Sequence, residues 1–191
     1  MSVEIKLKMR DDIQSLFQRC PKEAESAVKS ALSKTAKIAK KTAIASTVKT
    51  YTAKHKAVAD ALYMRKSGSD LISLVFSGPK LRMSDFYLRP NKPGSSPVGG
   101  LFLRIRRDGG GQLPKHFVAK MDSGHIGAFI RIDPETKKGT KRLPISQGYG
   151  PSVPSMVKNP ETIDKVEKES VRTYEEIFLN EFDKRLTRRS G

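Results

Sequence analysis

The chain has no tryptophan, one cysteine in 191 residues and no apolar run approaching the roughly 18 residues that a membrane span requires. With aromatics at only 7%, base stacking is not expected to be a main mode of nucleic-acid contact. The lone Cys20 cannot close an intramolecular disulfide, which fits assembly in a cytosol. Its place near a helix start suits a small apolar side chain better than a thiol nucleophile. The opening residues alternate Val3, Ile5 and Leu7 with Glu4, Lys6 and Lys8. That is the period of a half-buried strand and no secretory signal. A soluble cytosolic protein is expected.

Familiar chemical motifs are missing too. His55, His116 and His125 stand at large, irregular gaps, none at metal-ligand spacing from another donor. No Gly-x-Ser-x-Gly occurs. Gly109-Gly110-Gly111-Gln112 lacks the Lys and Ser or Thr of a phosphate-cradling loop. No helix-turn-helix, zinc finger or RNA-recognition motif is visible. The sequence therefore predicts no catalytic site, no metal and no cofactor, and a protein that is not an enzyme.

What the chain does have is positive charge. Lys and Arg number 37 against 20 Asp and Glu, a formal +17. Residues 22–66 carry 11 basic and 3 acidic side chains, residues 80–142 carry 14 and 5, and residues 143–191 carry 8 of each. The excess thus belongs to the first two-thirds of the chain and favours a polyanionic partner: nucleic acid, an anionic surface or an acidic protein. Lys34, Lys37 and Lys41 fall at helical spacing on one face, with no acidic residue between Glu25 and Asp60. Arg104 and Arg106 share a face of a strand because side chains alternate. Lys141 and Arg142 end a second basic cluster that begins at Lys137. These seven residues are the candidate basic face, for DNA phosphates or for an acidic partner. Such contacts neutralise charge without reading base sequence.

The periodicities predict α+β: N-terminal helices and a long C-terminal helix packed on an antiparallel sheet. A short helix is expected over 11–18. Pro21 opens a long one whose Ala24, Ala27, Val28, Ala31, Leu32, Ile38 and Ala39 make a narrow, alanine-rich stripe. A second helix is expected over 54–64, stopped at Gly68. From Leu71 onward the pattern becomes strands, with turn-rich residues 90–100 as an inter-strand loop and a hairpin of 117–121 with 126–132 around Asp122-Ser123-Gly124-His125. Asn159 and Pro160 open the final helix, whose buried stripe is Ile163, Val166, Tyr174, Ile177, Phe178 and Phe182. Without repeats or a boundary, 1–191 reads as a single domain: helical over about 11–66, sheet over about 69–142, a Pro/Gly loop over 143–158 and a helix over about 160–187.

That loop is the most unusual segment. Leu143, Pro144, Ile145, Tyr149, Gly150, Pro151, Ser152, Val153 and Pro154 are too apolar for a solvated loop, yet too rich in Pro and Gly for a helix or central strand. A stiff apolar loop buries either on its own core or on another subunit, and a stiff loop loses little entropy on docking. The order of elements here is a hairpin (Ser123-Gly-His-Ile-Gly-Ala-Phe-Ile-Arg131), a basic stretch (Lys137 to Arg142), then Leu143-Pro-Ile145 and Tyr149-Gly-Pro-Ser-Val-Pro154. It resembles the minor tail protein Z family, the tail-completion proteins of long-tailed phages and prophages. Leu81-Arg-Met-Ser-Asp-Phe86 resembles a weaker upstream motif of that family. Gly127-Ala128-Phe129 departs from the β-branched residue expected after the glycine.

The resemblance implies a structural virion protein at the head-proximal end of the tail, present in the host cytoplasm during assembly, which supports head–tail joining and DNA passage. Its partners would be tail terminator, tail tube or neck proteins and possibly genomic DNA, with no membrane, in a ring homo-oligomer. The alternative is a basic accessory protein that binds nucleic acid without sequence preference. Only an assembly protein needs the apolar loop.

Overall fold

A computed structural model describes residues 2–8, 21–68, 71–94, 98–132 and 144–190 of the chain. The expected helix over 11–18, Cys20, and Lys137 to Leu143 lie outside these residues.

The fold is α+β. Strand β1 (Ser2–Lys8) is followed by helix α1 (Pro21–Thr50) and the short α2 (His55–Asp60). Strands β2 (Leu62–Ser67), β3 (Leu71–Ser77), β4 (Lys80–Arg82) and β5 (Tyr87–Arg89) come next, with one 3-10 turn at Met83–Asp85 between the last two. Then come β6 (Leu101–Arg104), β7 (Gly111–Leu113), β8 (His116–Lys120), β9 (Ile126–Arg131), β10 (Ile145–Gln147) and β11 (Tyr149–Ser152). Helices α3 (Val153–Val157) and α4 (Pro160–Ser190) close the chain.

The strands do not make one sheet. They form four small antiparallel ones, ordered β1-β3-β2, β5-β6-β7, β10-β9-β8 and β11-β4. Prolines and glycines at 78–79, 90–94, 98–100 and 148–151 interrupt the ladders before any strand can run through two sheets. β3 is the central strand of its sheet, and Ile72 to Phe76 are all buried. Leu74 and Phe76 pack in the main core with Ala39, Ala43 and Ile44 of α1, with Val153, Met156 and Val157 of α3, and with Val166 of α4.

One expectation fails outright. Residues 62–64 are strand, not the end of a second helix. Leu62 stands opposite Phe76 and Met64 opposite Leu74 in the β2–β3 ladder, so pairing with a buried strand overrides weak local helix preference. Gly68, at φ +72°, follows β2 in the left-handed region and is not a helix stop.

The long helices meet antiparallel, the early turns of α1 against the late turns of α4. Ala24, Ala27, Ala31 and Ala36 are fully covered and face the rings of Tyr174, Phe178 and Phe182. Those rings stack in series, with centroids 6.1 and 5.9 Å apart. Alanine lets the backbones approach and the rings fill the gap, so small packs on large. Of the expected stripe on α1, Ile38 is only half-buried. At the other end, the Asn159 side chain accepts from the Glu161 amide (3.1 Å), a cap behind Pro160 at the first helical position.

Candidate functional site

Residues 144–157 are not a free loop. Ile145–Gln147 adds to β9, with Ile145 opposite Arg131 and Gln147 opposite Phe129. Tyr149 and Ser152 stand opposite Arg82 and Lys80 of β4, with a register shift between them that absorbs Pro151. Val153 and Pro154 then turn into α3, where the Ser152 hydroxyl accepts from the Ser155 amide. Val153, Met156 and Val157 are fully buried. The C-terminal half of the segment thus covers the chain's own core. The segment supplies only edge strands and no central one, but against expectation it also forms one short helical turn, where proline at the first positions is tolerated.

The glycines of the segment serve approach. A Cβ on Gly148 would collide with the Met83 sulfur, and one on Gly150 would lie 2.6 Å from the Phe86 ring. Both glycines point the same way along the strand, so Met83 and Phe86 pack directly on the backbone. Their alternate, Tyr149, points outward and is 52% exposed. Ile145 (40%) is also exposed, and so is Ile126 at the start of β9. The candidate assembly residues therefore divide: Val153 and Pro154 are inside, Ile145 and Tyr149 outside, Gly150, Pro151 and Ser152 half-buried between them, Pro144 half-buried with its carbonyl accepting from the Ile132 amide (2.8 Å). Leu143 lies outside the described residues.

A polar chain fastens this segment to the hairpin. The Arg82 guanidinium lies 2.9 Å from His125 Nδ1, and the Gln147 amide 2.9 Å from His125 Nε2. Arg82 has only donors, so His125 Nδ1 is the acceptor of that pair. Gly127 leaves space for this: a Cβ there would sit 3.1 Å from His125 Nε2. His125 thus ties the hairpin to β4 and β10. Among the described residues, no three His, Cys, Asp or Glu side chains converge as a metal site requires.

The basic residues scatter by role. Lys34 reaches across to α4, its ammonium 2.6 Å from Glu181, while Arg185 lies 2.6 Å from the same carboxylate and donates to the hydroxyls of Ser26 and Ser30. These hydrogen bonds, from Lys34 first and then Arg185, hold Glu181 well below the ordinary carboxylate range, at about 2. Lys37 and Lys41 are exposed on α1. Lys141 and Arg142 lie outside the described residues.

Arg104 and Arg106 do not share a strand face, because β6 ends at Arg104. Arg106 pairs instead with Asp108 (3.0 Å) and lies 5.8 Å from the Tyr51 ring centroid, and its hydrogen bond holds the Asp108 carboxyl below its ordinary range. Arg107 donates to the Val48 carbonyl and its amide to that of Thr50. It thereby caps the C-terminus of α1, where carbonyls are orphaned and a cation is favoured.

Thr52 completes the connection. Its amide donates to Ile105 (2.8 Å), its hydroxyl to the Arg104 carbonyl, and it accepts from the Tyr87 amide (3.2 Å). The end of α1 thereby fixes the sheet β5-β6-β7. One face of that sheet holds Leu88, Leu101 and Leu103 in the core. The other sets Tyr87 opposite Arg104 and Arg89 opposite Phe102. Arg104 lies 5.3 Å from the centroid of Tyr87 and 5.7 Å from that of Phe102, and Arg89 lies 5.4 Å from Tyr87. Sequence reasoning named Arg104 but missed the rings, because Tyr51, Tyr87 and Phe102 are far apart in the chain.

Beside this face is a cleft of about 450 Å³, floored by Phe86, Leu88 and Val118 and rimmed by Lys54, Arg82 and Arg89. Asp85, held by Lys54 (3.5 Å) and Arg82 (3.6 Å), is the acidic group in its lining. Comparison with protein-family models, curated proteins and solved structures gave no match.

Proposed function

We propose that the chain is a structural virion protein which completes the head-proximal end of a phage tail, so that head and tail join and DNA passes. It acts by assembly and not by catalysis. Its partners are the tail terminator, tail tube or neck proteins, met within a ring of its own copies. The observation that carries this reading is the 144–157 segment. Its buried half is anchored by Val153, Met156 and Val157, and its outer half holds Ile145 and Tyr149 in the open. Two β-pairings and the His125 linkage hold those apolar side chains in place before any partner arrives, so docking costs little ordering entropy. The resemblance of Leu143-Pro-Ile145 and Tyr149-Gly-Pro-Ser-Val-Pro154 to the tail-completion motif supports the same reading.

The test is deletion of the coding sequence from the genome that carries it, followed by separation of particles on a density gradient. Full heads and free tails that no longer join, restored by the intact chain but not by a Tyr149→Asp, Ile145→Asp variant, are expected. Joined particles at normal yield, or a genome that makes no particles, would overturn the reading.

A further inference from the structure

We infer that the outward face of the β5-β6-β7 sheet is a binding surface for single-stranded nucleic acid. The inference does not depend on the tail reading. It stands on how guanidinium groups and rings alternate across the face. Tyr87, 41% exposed, has Arg104 on one flank and Arg89 on the other. Phe102 meets Tyr87 edge-on, centroids 6.5 Å apart. The Tyr51–Arg106 pair extends the row through a β-bridge. Gln112, exposed and in register with Phe102, adds a neutral donor and acceptor.

A guanidinium held near a ring by cation–π attraction keeps N–H groups that can donate to a phosphate. Among the described residues no carboxylate lies within salt-bridge distance of Arg89 or Arg104, in contrast to Lys34, Arg106 and Arg185. Their charge therefore faces outward uncompensated. The rings and the guanidinium planes supply π-surfaces on which unpaired bases can stack, with no demand on base identity. A duplex hides those base faces and would engage the arginines alone. An acidic protein would do the same. The two rings Tyr87 and Phe102 beside the two arginines Arg89 and Arg104 favour a single strand over both.

The test is fluorescence anisotropy of the full chain with a labelled oligodeoxythymidylate of about 20 nucleotides, longer than one such site, at salt from about 50 to 200 mM. Tyr87→Ala is expected to weaken binding about tenfold, within the range one stacked base contributes. Arg89→Ala and Arg104→Ala should each flatten the log–log salt slope by roughly 0.7, one phosphate contact on a single strand. Arg104→Lys keeps the charge and loses the plane, so it should keep the slope and still lose affinity. It also tests the face should Arg104→Ala fail to fold. Lys168→Ala, on the exposed side of α4, should change neither. The inference is overturned if Tyr87→Ala and Arg104→Lys, with unaltered circular dichroism, bind as tightly as the parent chain. It is equally overturned if duplex of the same length binds more tightly, or if polyglutamate displaces the oligomer as well as unlabelled strand does, which would mark the face as a dock for acidic protein.

Discussion

The α1–α4 seam and the β5-β6-β7 face both present arginine beside aromatic rings, and they use it in opposite ways. At the seam, Arg185 is drawn in among Glu181, Ser26 and Ser30, and the Tyr174–Phe178–Phe182 ladder is sealed under alanines. On the sheet, Arg89 and Arg104 lie near the Tyr87 ring, with no carboxylate at salt-bridge distance among the described residues. A cation that meets a carboxylate inside the fold contributes to folding and leaves little field outside. A cation that meets only a ring is held in position and stays available. A formal +17 therefore overstates the charge a partner feels at the helices relative to the sheet.

The contrast can be broken most strongly at the seam. Phe178→Ala opens a cavity under Ala27 and Ala31 and should cost about 3–5 kcal/mol in urea unfolding, while oligonucleotide affinity of the folded fraction stays unchanged. An affinity loss would show that the two regions are coupled. Gly150→Ala drives a Cβ into the buried Phe86 ring and should cost about 1–3 kcal/mol by the same measurement. Phe86 also floors the cleft beside the sheet, so here a modest change in affinity is expected as well.

Glu181 sharpens the electrostatic side. Its folded pKa, about 2, lies below the ordinary 4.5. The stability it contributes is present above pH about 4.5 and is lost as pH falls toward about 2. Glu181→Gln should erase that part of the acid limb in urea midpoints taken across the window, and an unchanged limb would mean that the triad with Lys34 and Arg185 is not formed.

Tyr174 gives a smaller effect. Among the described residues its buried hydroxyl finds no hydrogen-bond partner, and burial pushes its pKa up to about 12. Tyr174→Phe should leave the chain as stable or up to about 1 kcal/mol more so; a loss beyond that in thermal melts would reveal a partner. Smallest of all, Lys37→Ala with Lys41→Ala, on the exposed face of α1, should move stability by less than about 0.5 kcal/mol.

Much of the seam was legible in the chain order. The Ala24–Leu32 spacing marks one helix face, the Val166–Phe182 spacing another, and Asn159-Pro160 marks where the second begins, because helical period and capping are local chemistry. The His116–Arg131 hairpin was legible for the same reason: two apolar runs about one glycine-containing turn. Residues 62–67 were not, since their partner Phe76 decides whether they are strand, and that choice is made across the sheet. Nor was the fate of Lys34, which reads as part of a free basic stripe until Glu181 is brought to it from 147 residues away.

By itself the sequence determined the class of fold, the extent of the long helices, the surplus of positive charge and the stiffness of the Pro/Gly segment, because each follows from composition or from contacts a few residues apart. Tertiary structure alone decided which cations are neutralised and which are presented. It also decided that Val153 and Met156 turn inward while Ile145 and Tyr149 face out, and that rings from three distant segments share a surface with arginine. Those outcomes depend on groups distant in the chain arriving at one place, and both electrostatics and stacking act only at contact distances set by packing.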